Sequence, residues 1–412
     1  MSSIAVFFTQ ALLVIGLPYL VWRLPGVRGV VPLVVMQILL GLALGPSVLG
    51  ELAPEVWAVL FSNASMQKLM GPAWLAIVLF TFLTGLHLQP SELKALGRRL
   101  VVMSLLSFLV PCLFGIVTGL VIARQFPQSM GAQANDWFFA IAIGLSISVT
   151  ALPVLGAILR ETDFLEHRLG RITLGMAALN DAILWCFLSV FLAGLVQEDS
   201  SVQSTLMVPA GIILYMAVML LLVGPLLRWI LGHCGIMGDG GLVAVCISVF
   251  GSALATEMIG LHAALGGFMT GVIVPRAFKQ VLVERLEPLT VVLLLPFFFT
   301  MTGMRTSFDF NSGDIAIVTL IAIAASVAGK FVGTTFPARW TGESWPAAIT
   351  IGILMQTKGM MEVLVLTIFR DAEIISTSCF SAMMFMAIIT TSFTMPMLRG
   401  MIRLTAKDRS LS

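Results

Sequence analysis

Apolar runs of about twenty residues follow one another along almost the whole of this 412-residue chain, separated by short charged loops. A run of that length crosses the hydrocarbon core of a bilayer as a helix, because every backbone N–H and C=O must be satisfied inside the segment where no water is at hand. Composition agrees: with 58% hydrophobic and only 11% charged residues, there is too little polar surface to cover a soluble globule of this size. The chain reads as an all-α polytopic membrane protein. A window of about twenty residues places thirteen spans, near 4–22, 30–50, 71–89, 100–123, 137–159, 172–196, 207–227, 240–256, 261–275, 288–304, 315–338, 346–369 and 377–398. The first run, Ile4 to Trp22, has no basic residue before it and no small-residue cleavage site after it, so it is expected to be a retained span.

The basic residues set the orientation. With the N-terminus outside, seventeen lysines and arginines fall in inner loops or the tail, among them Lys94, Arg98, Arg99, Arg168, Arg171, Arg276, Lys279 and Arg285. Only Lys68, Arg124, Arg305 and Arg370 fall outside, an asymmetry that predicts N-out and C-in. The weak point is the apolar stretch Gly240–Pro275, split here at Glu257–Leu261; Glu257 itself is either interfacial or a buried charge. Cys112, Cys186, Cys234, Cys246 and Cys379 stand singly with no metal or redox spacing, and no phosphate loop, dinucleotide fingerprint or nucleophile triad is present. The expectation is a transporter without a cofactor, not an enzyme.

In the middle of the sixth span, GMAALNDAILWCFLSVFLAGLV, stand Asn180 and Asp181. An aspartate at the centre of a membrane helix costs about 2.5–3.5 kcal/mol even on the lenient scale, so its default reading is an ion or proton site. Lys330 and Lys358 fall at similar depth in the eleventh and twelfth spans.

Phe80–Leu86 (FTFLTGL) in the third span resembles Phe298–Met304 (FFTMTGM) in the tenth, and Ile143-Gly144 aligns with Ile351-Gly352, which sets Thr150 opposite Lys358. Spans seven apart cross in opposite directions, the arrangement of an inverted repeat. This gives a first repeat at 1–197, a linking span within 198–239, a second repeat at 240–403 and a short tail at 404–412. Both members of the second pair carry helix breakers. Ser146, Ser148, Thr150 and Pro153 crowd the fifth span, and Gln356-Thr357-Lys358-Gly359 interrupts the twelfth. Irregular backbone at this depth is tolerated only where protein or a wet cavity satisfies it, which points to a substrate site.

The chemistry follows from the residue types. Asp181 can trade a proton for a small cation, and Asn180, Ser148, Thr150 and broken-helix carbonyls offer the neutral oxygens that suit a hard alkali ion, not a transition metal. Lys358 would offset the negative dipole ends of the half-helices or pair with Glu362 one turn on, and Lys330 is either a competing cation or a scaffold charge. His87 and His167 lie at inner span ends, and His262 starts the ninth span as a packing residue.

The strings SISVTALPVLGAILRE (146–161), MAALNDAILW (176–185), TEMIGLHAALGGFMTGVIVP (256–275), LLPFFFTMTGMRT (294–306), AGKFVGT (328–334) and MQTKGMMEVLVL (355–366) together resemble the cation:proton antiporter-2 family, nearest its plant cation/proton exchanger branch. The resemblance implies the sodium/proton antiporter fold, with the broken spans 5 and 12 crossing. It also implies a core domain from spans 3–6 and 10–13, a dimerisation domain from the rest, a homodimer and elevator-like alternating access. It places the shared proton and cation site on Asp181 and the family's mid-membrane lysine on Lys330. Electrogenic members carry Asp where Asn180 stands and pair it with that lysine; one carboxylate here suggests one proton per cation, a count that a titrating Lys330 would change. From the short tail, the chain is expected to lack the nucleotide-binding regulatory domain of some relatives. The expected activity is exchange of sodium or potassium for protons; an exporter of a larger cation or drug, or a passive channel or sensor, are the alternatives. Short loops and the lack of a targeting peptide suggest a bacterial inner membrane.

Overall fold

The computed structural model describes residues 2–25, 27, 33–87, 90–162, 164, 167–195, 211, 213–234, 239–259, 261–305 and 313–409. The starts of the second and seventh predicted spans (30–32 and 207–210), much of the 198–239 linker and Arg28 lie outside them, as do the side chains of Pro153, Arg160 and Cys234. Among the described residues the regular structure is helical throughout; the one β contact is an isolated antiparallel bridge between Met130 and Ile375.

Nine described helices are long and apolar enough to cross a membrane: Ser3–Trp22, Leu33–Leu52, Ala64–His87, Gly97–Gln125, Arg168–Leu192, Ile213–His233, Gly240–Met258, Asp314–Trp340 and Thr377–Met401. They correspond to nine of the thirteen predicted spans, and the other four differ in kind. The fifth and twelfth are each two half-helices. The ninth is the short helix Ala263–Ile273. The tenth is Leu295–Arg305, which continues from the charged helix Arg276–Pro288 through a π-helical stretch at Leu289–Leu294. All four were placed as spans by the twenty-residue window, and the breaks in the fifth and twelfth fall where Pro, Gly and hydroxyl residues cluster.

The chain forms two compact units, one of Met1–Lys68, Glu92–Ile183 and Phe299–Ser412, the other of Leu69–Ser91 and Leu184–Phe298. In the first unit Ala151, Leu152, Leu155 and Ile158 pack with Ile353, Leu354, Met395 and Leu398, while Met103, Met176, Ala348, Ile351 and Met355 form a second apolar cluster. In the second unit the stretch Gly240–Pro275 does divide as expected, into Asp239–Met258 and Ala263–Ile273. Glu257 is exposed, and its Oε2 accepts from the Ala263 N–H at 2.9 Å, while His262 Nδ1 accepts from Ala264 N at 3.2 Å. Glu257 therefore serves the start of the ninth helix, whose first N–H groups have no intrahelical partner, and is not a buried charge.

Two glycine-to-glycine helix contacts, one in each unit, are built alike. In the first, a Cβ on Gly41 would strike the Thr300 carbonyl and one on Gly303 the Ile38 carbonyl. In the second, Gly85 would strike the Phe268 carbonyl and Gly271 the Phe82 carbonyl. Every glycine lies on the carbonyl three residues before its partner glycine, so only hydrogen atoms separate the backbones. Gly85 and Gly303 are the glycines aligned in the sequence repeat. The contact extends that correspondence to Gly41 and Gly271, which the sequence comparison missed.

Candidate functional site: a buried carboxylate beside two helix breaks

Helix Asp136–Ser148 ends where Val149 turns extended at ψ 144°, and the chain resumes as Leu152–Glu161. Pro153 is thus the second residue of a new helix, where its missing N–H costs nothing. The matched element stops at Leu354 and resumes at Met360, after Gly359 with φ 152° and ψ −125°, backbone angles that suit glycine and strain any residue with a Cβ. The two breaks hydrogen-bond to one another: Ala151 N donates to Thr357 O at 2.9 Å and Thr150 Oγ1 to Met355 O at 3.2 Å.

Two fully buried lysines serve these breaks. Lys358 Nζ donates to Ile147 O at 2.5 Å and Ser146 O at 3.3 Å, near the C-terminal, electronegative end of helix Asp136–Ser148. Its other neighbour is Glu362, with Oε1 at 3.6 Å, and Thr391 Oγ1 clamps its backbone by accepting from Lys358 N at 3.0 Å and donating to Lys358 O at 2.9 Å. Lys330 Nζ donates to Thr150 Oγ1 at 2.6 Å and Ser107 O at 3.1 Å. Because Thr150 passes its own hydrogen to Met355 O, the end of helix Trp345–Leu354 is also served by a lysine, here through a hydroxyl.

Asp181 is 1% exposed, and neither carboxylate oxygen has a hydrogen-bond partner among the described residues; Lys330 lies within electrostatic range. Beside it Asn180 Nδ2 donates to Ser107 Oγ at 3.1 Å, and that hydroxyl donates to Ser104 O at 2.9 Å. Buried polar atoms are rarely left unpaired, and those that are need a reason such as a ligand. The remaining predicted residues divide. Ser148 Oγ and Thr357 Oγ1 turn back on Leu145 O at 2.8 Å and Leu354 O at 2.6 Å, which leaves their lone pairs open. Gln356 Nε2 donates to Val327 O at 2.9 Å, while its Oε1 is unpartnered. Both Glu362 oxygens also lack a hydrogen-bond partner among the described residues. His87 and His167 are exposed. The sequence reading passed over Ser107 and Thr391. The signals were there, as Ser104 and Ser107 one turn apart in an apolar span and as Thr390-Thr391 in the last, but polar pairs of this kind are common in membrane helices.

The transmembrane family of sodium/hydrogen exchangers matches residues 11–400 of the chain. The chain belongs to the sodium/hydrogen exchanger family. It is an integral membrane protein, and the expected kinship with plant exchangers is borne out: it is 32% identical over 375 residues to cation/H(+) antiporter 17 of Arabidopsis thaliana, covering 89% of this chain and 45% of that one. It is 30% identical over 402 residues to the Na(+)/H(+) antiporter NhaS4 of Synechocystis sp., covering 96% and 97%, and 29% identical to K(+)/H(+) antiporter 1 of Saccharomyces cerevisiae, covering 96% and 46%. The chain thus spans under half the length of those plant and yeast relatives. Its fold matches that of the sodium proton antiporter MjNhaP1 from Methanocaldococcus jannaschii with a TM-score of 0.64 at 15% identity, covering 97% and 96% of the two chains.

Proposed function

We propose that this chain is a secondary antiporter that exchanges a monovalent alkali cation, sodium or potassium, for a proton, with Asp181 binding the two in turn. The observation that carries the reading is Asp181 itself, buried beside two helix breaks with both oxygens unpaired. A proton and a small hard cation are the ligands that compete for such oxygens. Asn180 and Thr150 supply neutral oxygens nearby, Lys330 and Lys358 hold the half-helix ends, and Ser148, Gln356, Thr357 and Glu362 support the breaks. Kinship to sodium/proton and potassium/proton antiporters favours this activity. The finer architecture is thirteen spans, N-out and C-in, in two inverted repeats with the broken helices crossing, working as a homodimer by elevator-like movement of a core built from spans 3–6 and 10–13. The paired glycine contacts favour the repeat, since Gly41 stands to Gly303 as Gly271 stands to Gly85. With Asn at position 180, one carboxylate points to one proton per cation, a count that a titrating Lys330 would change.

The test is proton flux in sealed proteoliposomes with a trapped pH dye, adding sodium, potassium, lithium or rubidium in turn. The parent protein is expected to collapse the pH gradient with at least one of them and Asp181→Asn with none. A mutant that transports like the parent removes Asp181 as carrier; no response from the parent to any alkali ion removes the antiport reading.

A further inference from the structure

Beyond the carrier, the first unit holds a second carboxylate that alkali-ion exchange through Asp181 does not use. Glu362 is 0% exposed, sits in the first turn of half-helix Met360–Asp371, and among the described residues finds no hydrogen-bond donor for either oxygen. A glutamate at this position usually folds back to cap its own helix start; this one does not. Its nearest partner is the Lys358 ammonium at 3.6 Å, too long for a hydrogen bond, while that ammonium spends its donors on the Ile147 and Ser146 carbonyls. Lys330, from helix Gly313–Trp340, lies within electrostatic range of both Glu362 and Asp181. Helices Asp136–Ser148 and Thr377–Arg409, which pack along this half-helix, carry charge only toward their far ends, at Asp136 and from Arg399 onward. Among the described residues, the fully buried charges coupled around Glu362 are thus two carboxylates, Glu362 and Asp181, and two ammoniums, Lys330 and Lys358.

We propose that Glu362 is a second proton-binding site, distinct from the carrier Asp181, whose protonation weakens cation binding. When Glu362 takes a proton from hydronium, an O–H bond forms on the carboxylate, one O–H bond of the hydronium breaks and leaves water, and the carboxylate becomes a neutral acid. The Lys358 ammonium then stands unbalanced at the breaks, and a cation entering beside Asp181 meets one more net positive charge. Ionised Glu362 cancels that charge. The consequence rests on the antiport reading, but the proton site does not.

Two measurements separate them. In transport, the apparent KM for the alkali ion rises about tenfold per unit fall in pH when one proton competes, and approaches a hundredfold when a second opposes binding. The parent is expected to show the steeper rise. Glu362→Gln is expected to show a raised KM at high pH and the one-proton slope, and Glu362→Asp to restore part of the steepness. A parent with the one-proton slope, or a Glu362→Gln variant with the parent's slope, overturns the coupling. The proton site is read in the unmutated protein by infrared spectroscopy with [13C]carboxyl-glutamate. A protonated-carboxyl band that shifts with the label, appears as the sample is acidified through the range where transport changes and is missing from Glu362→Gln, is expected from Glu362. Its absence there shows that Glu362 stays ionised and overturns the proposal even if Asp181 carries the ions; its presence upholds the site even if no alkali ion is moved.

Discussion

The break at 149–151 is short and brings a hydroxyl, Thr150, to the centre of the first unit; the matched break at 355–359 is longer and brings a lysine, Lys358. Both must deal with a half-helix whose last carbonyls point into the protein. At the first helix end the cation comes from the opposite break and donates directly. At the second it comes from helix Gly313–Trp340, and Thr150 relays it. The pair is thus symmetric in backbone and asymmetric in charge. One break can be repaired by a neutral hydrogen bond, whereas the other contains half of a buried ion pair.

That asymmetry gives an order of mutational effects. Lys358→Met should be the most severe, because it strands Glu362 and two carbonyls; breaking a buried pair costs about 3–5 kcal/mol. The expected result is a large drop in the midpoint of thermal unfolding in detergent, and a near-normal midpoint would show that the lysine is dispensable to the fold. Gly359→Ala comes next. It forces a Cβ into a strained conformation and within 2.9 Å of Val154 Cγ2, at a cost of about 1–3 kcal/mol. Faster hydrogen exchange at 357–361 with little change elsewhere is the signature. Thr150→Val keeps the shape and removes only the relay, for about 1–2 kcal/mol; if it destabilises as much as Lys358→Met, the contrast between hydroxyl and charge is wrong.

The far ends of the two broken segments sharpen the comparison at smaller scale. The loop before the first is tied to the loop after the second by backbone alone, with Gly131 N donating to Ile374 O and Ser376 N to Ser129 O, each at 3.0 Å. The loop before the second is tied by side chains, Arg168 reaching Glu343 at 2.8 and 2.5 Å. Arg168 is 67% exposed and screened by water, so Arg168→Gln should cost under about 1 kcal/mol, with any effect fading as salt is raised. A salt-independent loss would mean that the pair anchors the break more firmly than its exposure allows.

Much of this site was legible in the chain. Asp181 stood out because a charge in an apolar run has to be explained, and both breaks were visible as clusters of Pro, Gly and hydroxyls at repeat-matched positions. The affiliation of Lys358 was half legible: its pairing with Glu362 is local, but its donation to Ile147 crosses 211 residues. Lys330 shows the limit, since its partners Thr150 and Ser107 lie 180 and 223 residues away, beyond any local pattern. The same holds for Gly41 and Gly271, whose role appears only when the helices they touch are known.

By itself the sequence determined a helical membrane chain, two interrupted helices and a carboxylate within an apolar run, because hydropathy, backbone satisfaction and the cost of a buried charge act on each segment separately. Only the tertiary structure decided which lysine serves which helix end, that Glu257 lies at the surface while Glu362 is buried, and that Asp181 is left without a donor. Those outcomes depend on which groups meet in a water-poor interior, where a neighbour at 3 Å stabilises a charge and a missing one leaves it open to a ligand.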